Sequence, residues 1–140
     1  MSFFQTKFQK EIFEKVQSTL YVLYSDNHFG ILKTPEGEEK GFGFYRGSTD
    51  IQIHVYPYRK NSTCITISAV LTYQTPISPG VFEWIARQNP QITFGSLGFI
   101  EYKEKPGWGN VVFYSDILGN DFTPISLFNA IENASFIADK

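Results

Sequence analysis

Apolar residues recur every four positions at the start of the chain, at Phe4, Phe8, Ile12 and Val16, with Phe13 beside them. That stripe predicts an amphipathic helix from Ser2 to near Leu20, and Ser2 with Gln5 has the spacing of a capping box. Between Tyr21 and Leu32 the apolar run is broken by Ser25-Asp26-Asn27, and the charged stretch KTPEGEEK at 33–40 reads as a loop. A short strand or two fits there. The period then changes from four to two. Phe42 and Phe44, then Ile51, Ile53 and Val55, then Ile65, Ile67, Ala69 and Leu71 alternate with polar or small neighbours, as half-buried strands do. Gly47-Ser48-Thr49-Asp50 and Arg59-Lys60-Asn61-Ser62 are connections of hairpin length. An antiparallel meander is expected.

Two later segments share one grammar. Ile77-Ser78-Pro79 followed by Phe82, and Phe122-Thr123-Pro124 followed by Leu127, each give an apolar residue, a hydroxyl N-cap, a proline at the first helical position and an apolar residue at the fourth. Each predicts a helix start closed by a hydrophobic staple. The first helix must stop near Asn89, because Pro90 disfavours helical geometry in its predecessor. The second carries Leu127, Phe128, Ile131 and Ala134. Between them 92–102 and 111–118 read as strands joined across Lys105-Pro106-Gly107, with Gly95 and Gly98 marking a bulge. The expected order is α-β-β-β-α-β-β-α, an α+β fold with helices packed on an antiparallel sheet.

A length of 140 residues points to one domain over 1–140. With 42% hydrophobic and 19% charged residues the chain is not disordered in composition. Twelve basic against 14 acidic residues give a net charge of -2, which argues against a general binder of nucleic acid or anionic membrane. Lys7, Lys10, Glu11, Glu14 and Lys15 interrupt the N-terminal apolar residues, so no secretory signal is expected, and no run of about 18 apolar residues predicts a membrane span. Cys64 is the only cysteine, which fits a reducing, cytoplasmic compartment. In that compartment the glycosylation patterns Asn61-Ser62-Thr63 and Asn133-Ala134-Ser135 are chance matches.

Candidate chemistry is sparse. Lys40-Gly41-Phe42-Gly43-Phe44-Tyr45-Arg46 matches the aromatic strand motif of RNA-recognition domains through Phe44. Tyr45 and Gly47 break the pattern, a helix fills the place of the second motif, and the net charge has the wrong sign. RNA binding through Phe42 and Phe44 therefore stands as an alternative, beside a small-ligand-binding role. Gly41, Gly43 and Gly47 have the wrong spacing for a dinucleotide loop. His28, His54 and Cys64 give neither metal-ligand nor nucleophile spacing, and Glu36, Glu38 and Glu39 read as a solvated loop. No catalytic residue, metal ligand or cofactor is assigned, and an enzyme is not expected. The outward register of the second strand is more informative, since Gln52, His54, Tyr56 and Tyr58 alternate with Ile51, Ile53 and Val55. Tyr56, Tyr58 and Trp108, the last held between two glycines, are candidate protein-binding residues. Val81, Trp84 and Ile85 on the middle helix are candidate homodimer contacts.

The element order resembles that of type III secretion chaperones and the related YbjN-like proteins. At residue level the likeness lies in 82–140, FEWIARQNPQITFGSLGFIEYKEKPGWGNVVFYSDILGNDFTPISLFNAIENASFIADK. It runs from a helix ending in Asn, through a strand with Gly and aromatics, a hairpin and a hydrophobic strand, to a helix opened by Thr-Pro. The resemblance implies a non-enzymatic, often dimeric module that binds a protein or peptide as a chaperone or regulatory adaptor. It brings no site residues with it.

Overall fold

The computed structural model describes residue 4 and residues 6–59 and 62–138. Helix α1 (Lys7–Leu23) precedes four strands, β1 (Gly30–Lys33), β2 (Glu39–Arg46), β3 (Thr49–Tyr58) and β4 (Ser62–Pro76). Helix α2 (Pro79–Gln88), strands β5 (Ser96–Glu101) and β6 (Trp108–Leu118) and helix α3 (Pro124–Ala138) follow. The expected α+β class holds, with one strand more than the expected order, because β1 forms in the broken stretch before the charged loop. Among the described residues no helix is long and apolar enough to cross a membrane.

The cap of α1 sits further along the chain than its apolar stripe indicates. Thr6 Oγ1 accepts from Gln9 N and Gln9 Oε1 accepts from Thr6 N, each at 3.2 Å, so Thr6 and Gln9 form the capping box. Ser2 and Gln5, the expected box, lie outside the described residues. Gln9 is fully buried, and its Nε2 donates to Ser62 O at 2.9 Å. One side chain thus caps α1 and ties it to β4. Ser78 caps α2 as its sequence predicts, and Thr123 with Ser126 exchanges two 3.0 Å side-chain bonds at the start of α3. Helix α2 does end at Gln88, and the Asn89 side chain then bonds both Leu97 N, at 2.6 Å, and Leu97 O, at 3.2 Å.

All strands pair antiparallel in the order β1-β2-β3-β4-β6-β5. The turn between β2 and β3 is tighter than expected: Arg46 pairs with Thr49, leaving only Gly47-Ser48. Gly47 has φ +64°, the left-handed conformation a two-residue hairpin needs at its first central position. Residues facing each other across the strands belong to one side of the sheet. Phe44, Ile51, Ala69, Phe113 and Leu97 form one core row, and Phe42, Ile53 and Ile67 belong to the next. Onto these rows α1 brings Ile12, Phe13, Val16 and Leu20, while α3 brings Leu127, Ile131 and Ala134. Helix α2 covers β5 through Ile85 and through the Phe82 ring, edge-on to Phe99 at 5.7 Å.

Gly95 and Gly98 are seats for rings rather than marks of a bulge, since β5 and β6 pair without a register shift. A Cβ at Gly95 would run into the buried Phe113 ring, and one at Gly98 would lie 2.9 Å from Tyr114 Cε1. The bulges fall elsewhere, between Leu32 and Lys33 and within β4 between Val70 and Thr75.

Candidate functional site

With α1, α2 and α3 all packed on the Ile53 side, the other side of the sheet carries no helix. Its rows follow from the pairing. Gly43, Gln52, Ser68, Tyr114 and Ser96 form one, Leu32, Gly41, His54, Thr66 and Asp116 a second, and Tyr56, Cys64 and Leu118 a third. Tyr45 and Tyr58 fall on the same side by alternation. Tyr73 reaches the face through a 3.0 Å bond from its hydroxyl to Asp50 Oδ2, and Tyr102 through Asn110 Oδ1. Six of the eight tyrosines of the chain thus gather on one face. Tyr45 is 62% exposed and Tyr73 56%.

These rings are held at one edge and open at the other. The Tyr114 ring lies over Gly98, where a side chain would displace it. A hydrogen bond of 3.2 Å joins the Tyr56 hydroxyl to Thr66 Oγ1, and Thr66 donates to Asp116 Oδ1 at 2.6 Å. Because threonine has a single hydroxyl proton, Tyr56 supplies the proton of the longer bond. Burial pushes the Tyr56 phenol above its ordinary value, and burial with the bond to Asp50 pushes Tyr73 up to about 12. Both rings are therefore neutral near pH 7, amphipathic surfaces with one polar end.

His54 stands in the middle of this face. Burial, helped by the charge of Lys40, holds its imidazole below the ordinary value of 6.5, so it is neutral near pH 7. Its ring nitrogen Nε2 lies 3.3 Å from Gln52 Oε1, while Cys64 Sγ lies 3.9 Å from Thr66 Oγ1. Neither contact is that of a nucleophile with its base. Among the described residues no group of three or more His, Cys, Asp or Glu could hold a metal ion. His28 is exposed at the other end of the meander, and Glu36 and Glu39 are exposed around the β1–β2 turn.

Tyr56 and Tyr58 occupy the face as the alternation predicts. Trp108 lies at the far end of the sheet, since Trp108 pairs with Pro76 while Leu118 belongs to the Tyr56 row. Ten residue steps of β6 separate the two ends, about 33 Å at strand rise. Trp108 and Tyr56 therefore stand at opposite ends of the sheet, Trp108 beside Tyr102, whose N donates to Trp108 O at 2.8 Å, and Lys105 Nζ lies 4.3 Å from the centre of the Trp108 ring. Of the helix residues, Ile85 is buried in the chain's own core and Val81 packs partly against it. Only Trp84, 45% exposed, points away. One ring is too little for the interface assigned to Val81, Trp84 and Ile85 together.

Phe42 and Phe44 also need correction as base-stacking residues. They are 1% and 3% exposed, on the helix side, where Phe42 stacks on Phe13 at 5.0 Å and Phe44 meets Tyr24 and Phe29. A stacking platform requires solvent-facing rings, and here Gly41 and Gly43 hold the solvent-facing positions.

Tyr45, Tyr73, Tyr102, Tyr114 and Asp116 are members of the face that the sequence reading passed over. Tyr114 and Asp116 were available from the alternation of β6, once paired with β4. Tyr73 was hidden by the bulge, which breaks the period of two, and Tyr102 lies beyond the end of β5. No protein-family model and no curated protein matches this chain.

Proposed function

We propose that the protein is a non-enzymatic module, a chaperone-like or regulatory adaptor, that holds a partner polypeptide on the helix-free face of its sheet. The observation that carries this reading is the gathering of six tyrosines there. Tyrosine offers a large, stiff contact area with a hydrogen-bonding end and loses few rotamers on binding, which is why such rings dominate protein-recognition surfaces. A partner's apolar side chains would cover the Tyr45, Tyr73 and Tyr114 rings while its polar groups meet the hydroxyls, Gln52 and Ser68. Strands β1 and β5, at the two ends of the sheet order, offer edges for strand addition. The resemblance to type III secretion chaperones and YbjN-like proteins supports the same reading, and with it a homodimer acting in the cytoplasm.

The test is affinity capture from extract of the source cells with wild-type protein and with the double variant Tyr56→Ser, Tyr114→Ser, both shown to be folded by circular dichroism. One stoichiometric partner protein lost by the variant is the expected result. Equal capture by both proteins, or no partner with either, removes the reading. Sedimentation over a range of concentrations tests the dimer separately.

A further inference from the structure

On the opposite side, the helix layer has a gap. Helix α2 packs on β5, and α3 packs on β3, β4 and β6. Between them lies a cleft of about 430 Å³. Its floor follows from the bulge in β4: pairing steps from Val70 with Val112 to Thr72 with Val111, so Leu71 is an extra residue. A bulge re-aims side chains, and Leu71 and Thr72 both line the cleft. Ile92, Leu97 and Ile137 continue the floor, each packed in or against the core.

The walls are of a different character. Trp84 and Gln88 lie one turn apart on α2, and Gln91 follows in the 3-10 turn. The carboxamides of Gln88 and Gln91 have no hydrogen-bond partner among the described residues. Thr72 Oγ1 is already engaged, by Val111 N at 3.3 Å and Thr75 Oγ1 at 2.6 Å. Among the described residues no titratable side chain lines the cleft, and the nearby charges of α2, Glu83 and Arg87, neutralise each other at 2.6 Å.

We propose that this cleft is a binding site for an uncharged, planar small molecule with a lactam-like edge, a site separate from the tyrosine face. Its volume lies within the range of small-molecule sites, about 300–1,000 Å³, and an apolar floor with a few convergent polar groups is their usual lining. The Trp84 ring accepts a flat partner against its face. A carboxamide both donates and accepts, so the two glutamines match a ligand edge with adjacent donor and acceptor. A charged ligand would lose hydration with no group of opposite sign among the described lining residues to receive it.

The test uses 2-quinolinone, which is uncharged, planar and carries a lactam edge, against quinaldate, an anion on the same ring system. The readout is the indole N–H resonances, assigned by Trp84→Phe, with Trp108 as the internal control. A saturable shift of Trp84 with Trp108 unmoved, and quinaldate at least about ten-fold weaker, is expected. Gln88→Trp, which fills the cleft from its rim, should weaken 2-quinolinone by at least about ten-fold, and Leu71→Trp should do so from the floor. No saturation at millimolar 2-quinolinone overturns the proposal, as does equal binding of quinaldate. A Trp84 resonance that moves with protein concentration alone assigns the ring to self-association and overturns it too.

Discussion

Arg46 and Glu132 stand 86 positions apart in the chain and meet in a two-pronged ion pair, Nε to Oε2 at 3.0 Å and Nη2 to Oε1 at 2.8 Å. The pair fastens the end of β2 to α3, and the guanidinium also lies 5.7 Å from the centre of the Tyr24 ring. Both side chains are partly exposed, at 46% and 30%, so Arg46→Met should cost only about 0.5–1 kcal/mol. Hydrogen bonds from Arg46 hold the Glu132 carboxyl below its ordinary value. Its contribution is therefore present above the ordinary carboxylate range and is lost as pH falls through the depressed value. Urea titrations of wild type and Arg46→Met at near-neutral and strongly acidic pH should converge at the acidic end. A gap that stays constant between the two would refute the assignment.

His54 gives a second dependence of the same sign, in a higher window. Its imidazole is held below 6.5 in the folded chain, so the unfolded chain takes up the proton first. The stability it contributes is complete above 6.5 and falls as pH drops from there to the folded value. The melting midpoint of wild type should fall between about pH 7.5 and about pH 5 more than that of His54→Gln. Parallel profiles would mean that the folded site does not disfavour the charged ring.

Thr63 offers a change in the stabilising direction. It is fully buried in β4, and its hydroxyl has no hydrogen-bond partner among the described residues. Valine has nearly the same shape and no group to desolvate, so Thr63→Val should raise stability by about 1 kcal/mol. Denaturant titration gives the answer, and a loss of stability would show that the hydroxyl is satisfied.

Gly95 and Gly98 should respond differently to alanine. At Gly95 the new methyl meets the fully buried Phe113 ring and would lie 2.8 Å from Tyr114 O, neither of which can withdraw, so a loss of about 3 kcal/mol is expected. At Gly98 the obstacle is the Tyr114 ring, which is 38% exposed and can swing outward. Gly98→Ala should cost about 1 kcal/mol while weakening partner capture. Equal losses of stability would contradict the packing described for the two positions.

The elements that the sequence disclosed are those whose signal is local. Ser78-Pro79 and Thr123-Pro124 set the starts of α2 and α3, Pro90 marked the end of α2, and the alternation at 51–58 divided the two sides of the sheet. What escaped depended on partners far along the chain. The cap of α1 lies at Thr6 rather than Ser2. Phe42 and Phe44 could be taken for a stacking pair until Phe13 of α1 and Tyr24, just beyond its end, covered them. Tyr45, Tyr56 and Tyr114 become one surface only through the pairings of β2 with β3, β3 with β4 and β4 with β6. The cleft beside Trp84 needs a bulge, two helices and a 3-10 turn, none of which carries its meaning alone.

The strand order has a consequence for how the chain comes into being. β3 and β4 join through a short connection, and Tyr58 faces Ser62. β4 and β6 instead close loops running from Pro76 to Trp108 at one end and from Cys64 to Leu118 at the other. Closing such loops costs more entropy, and it can begin only after β6 has been synthesised. A chain still on the ribosome can lay down the meander, with Tyr45, Tyr56 and Tyr58 on it, before β6 and Tyr114 have been synthesised. The tyrosine surface is thus finished only once β6 has joined β4, and any ligand that needs all of it meets only chains that have been extended through β6.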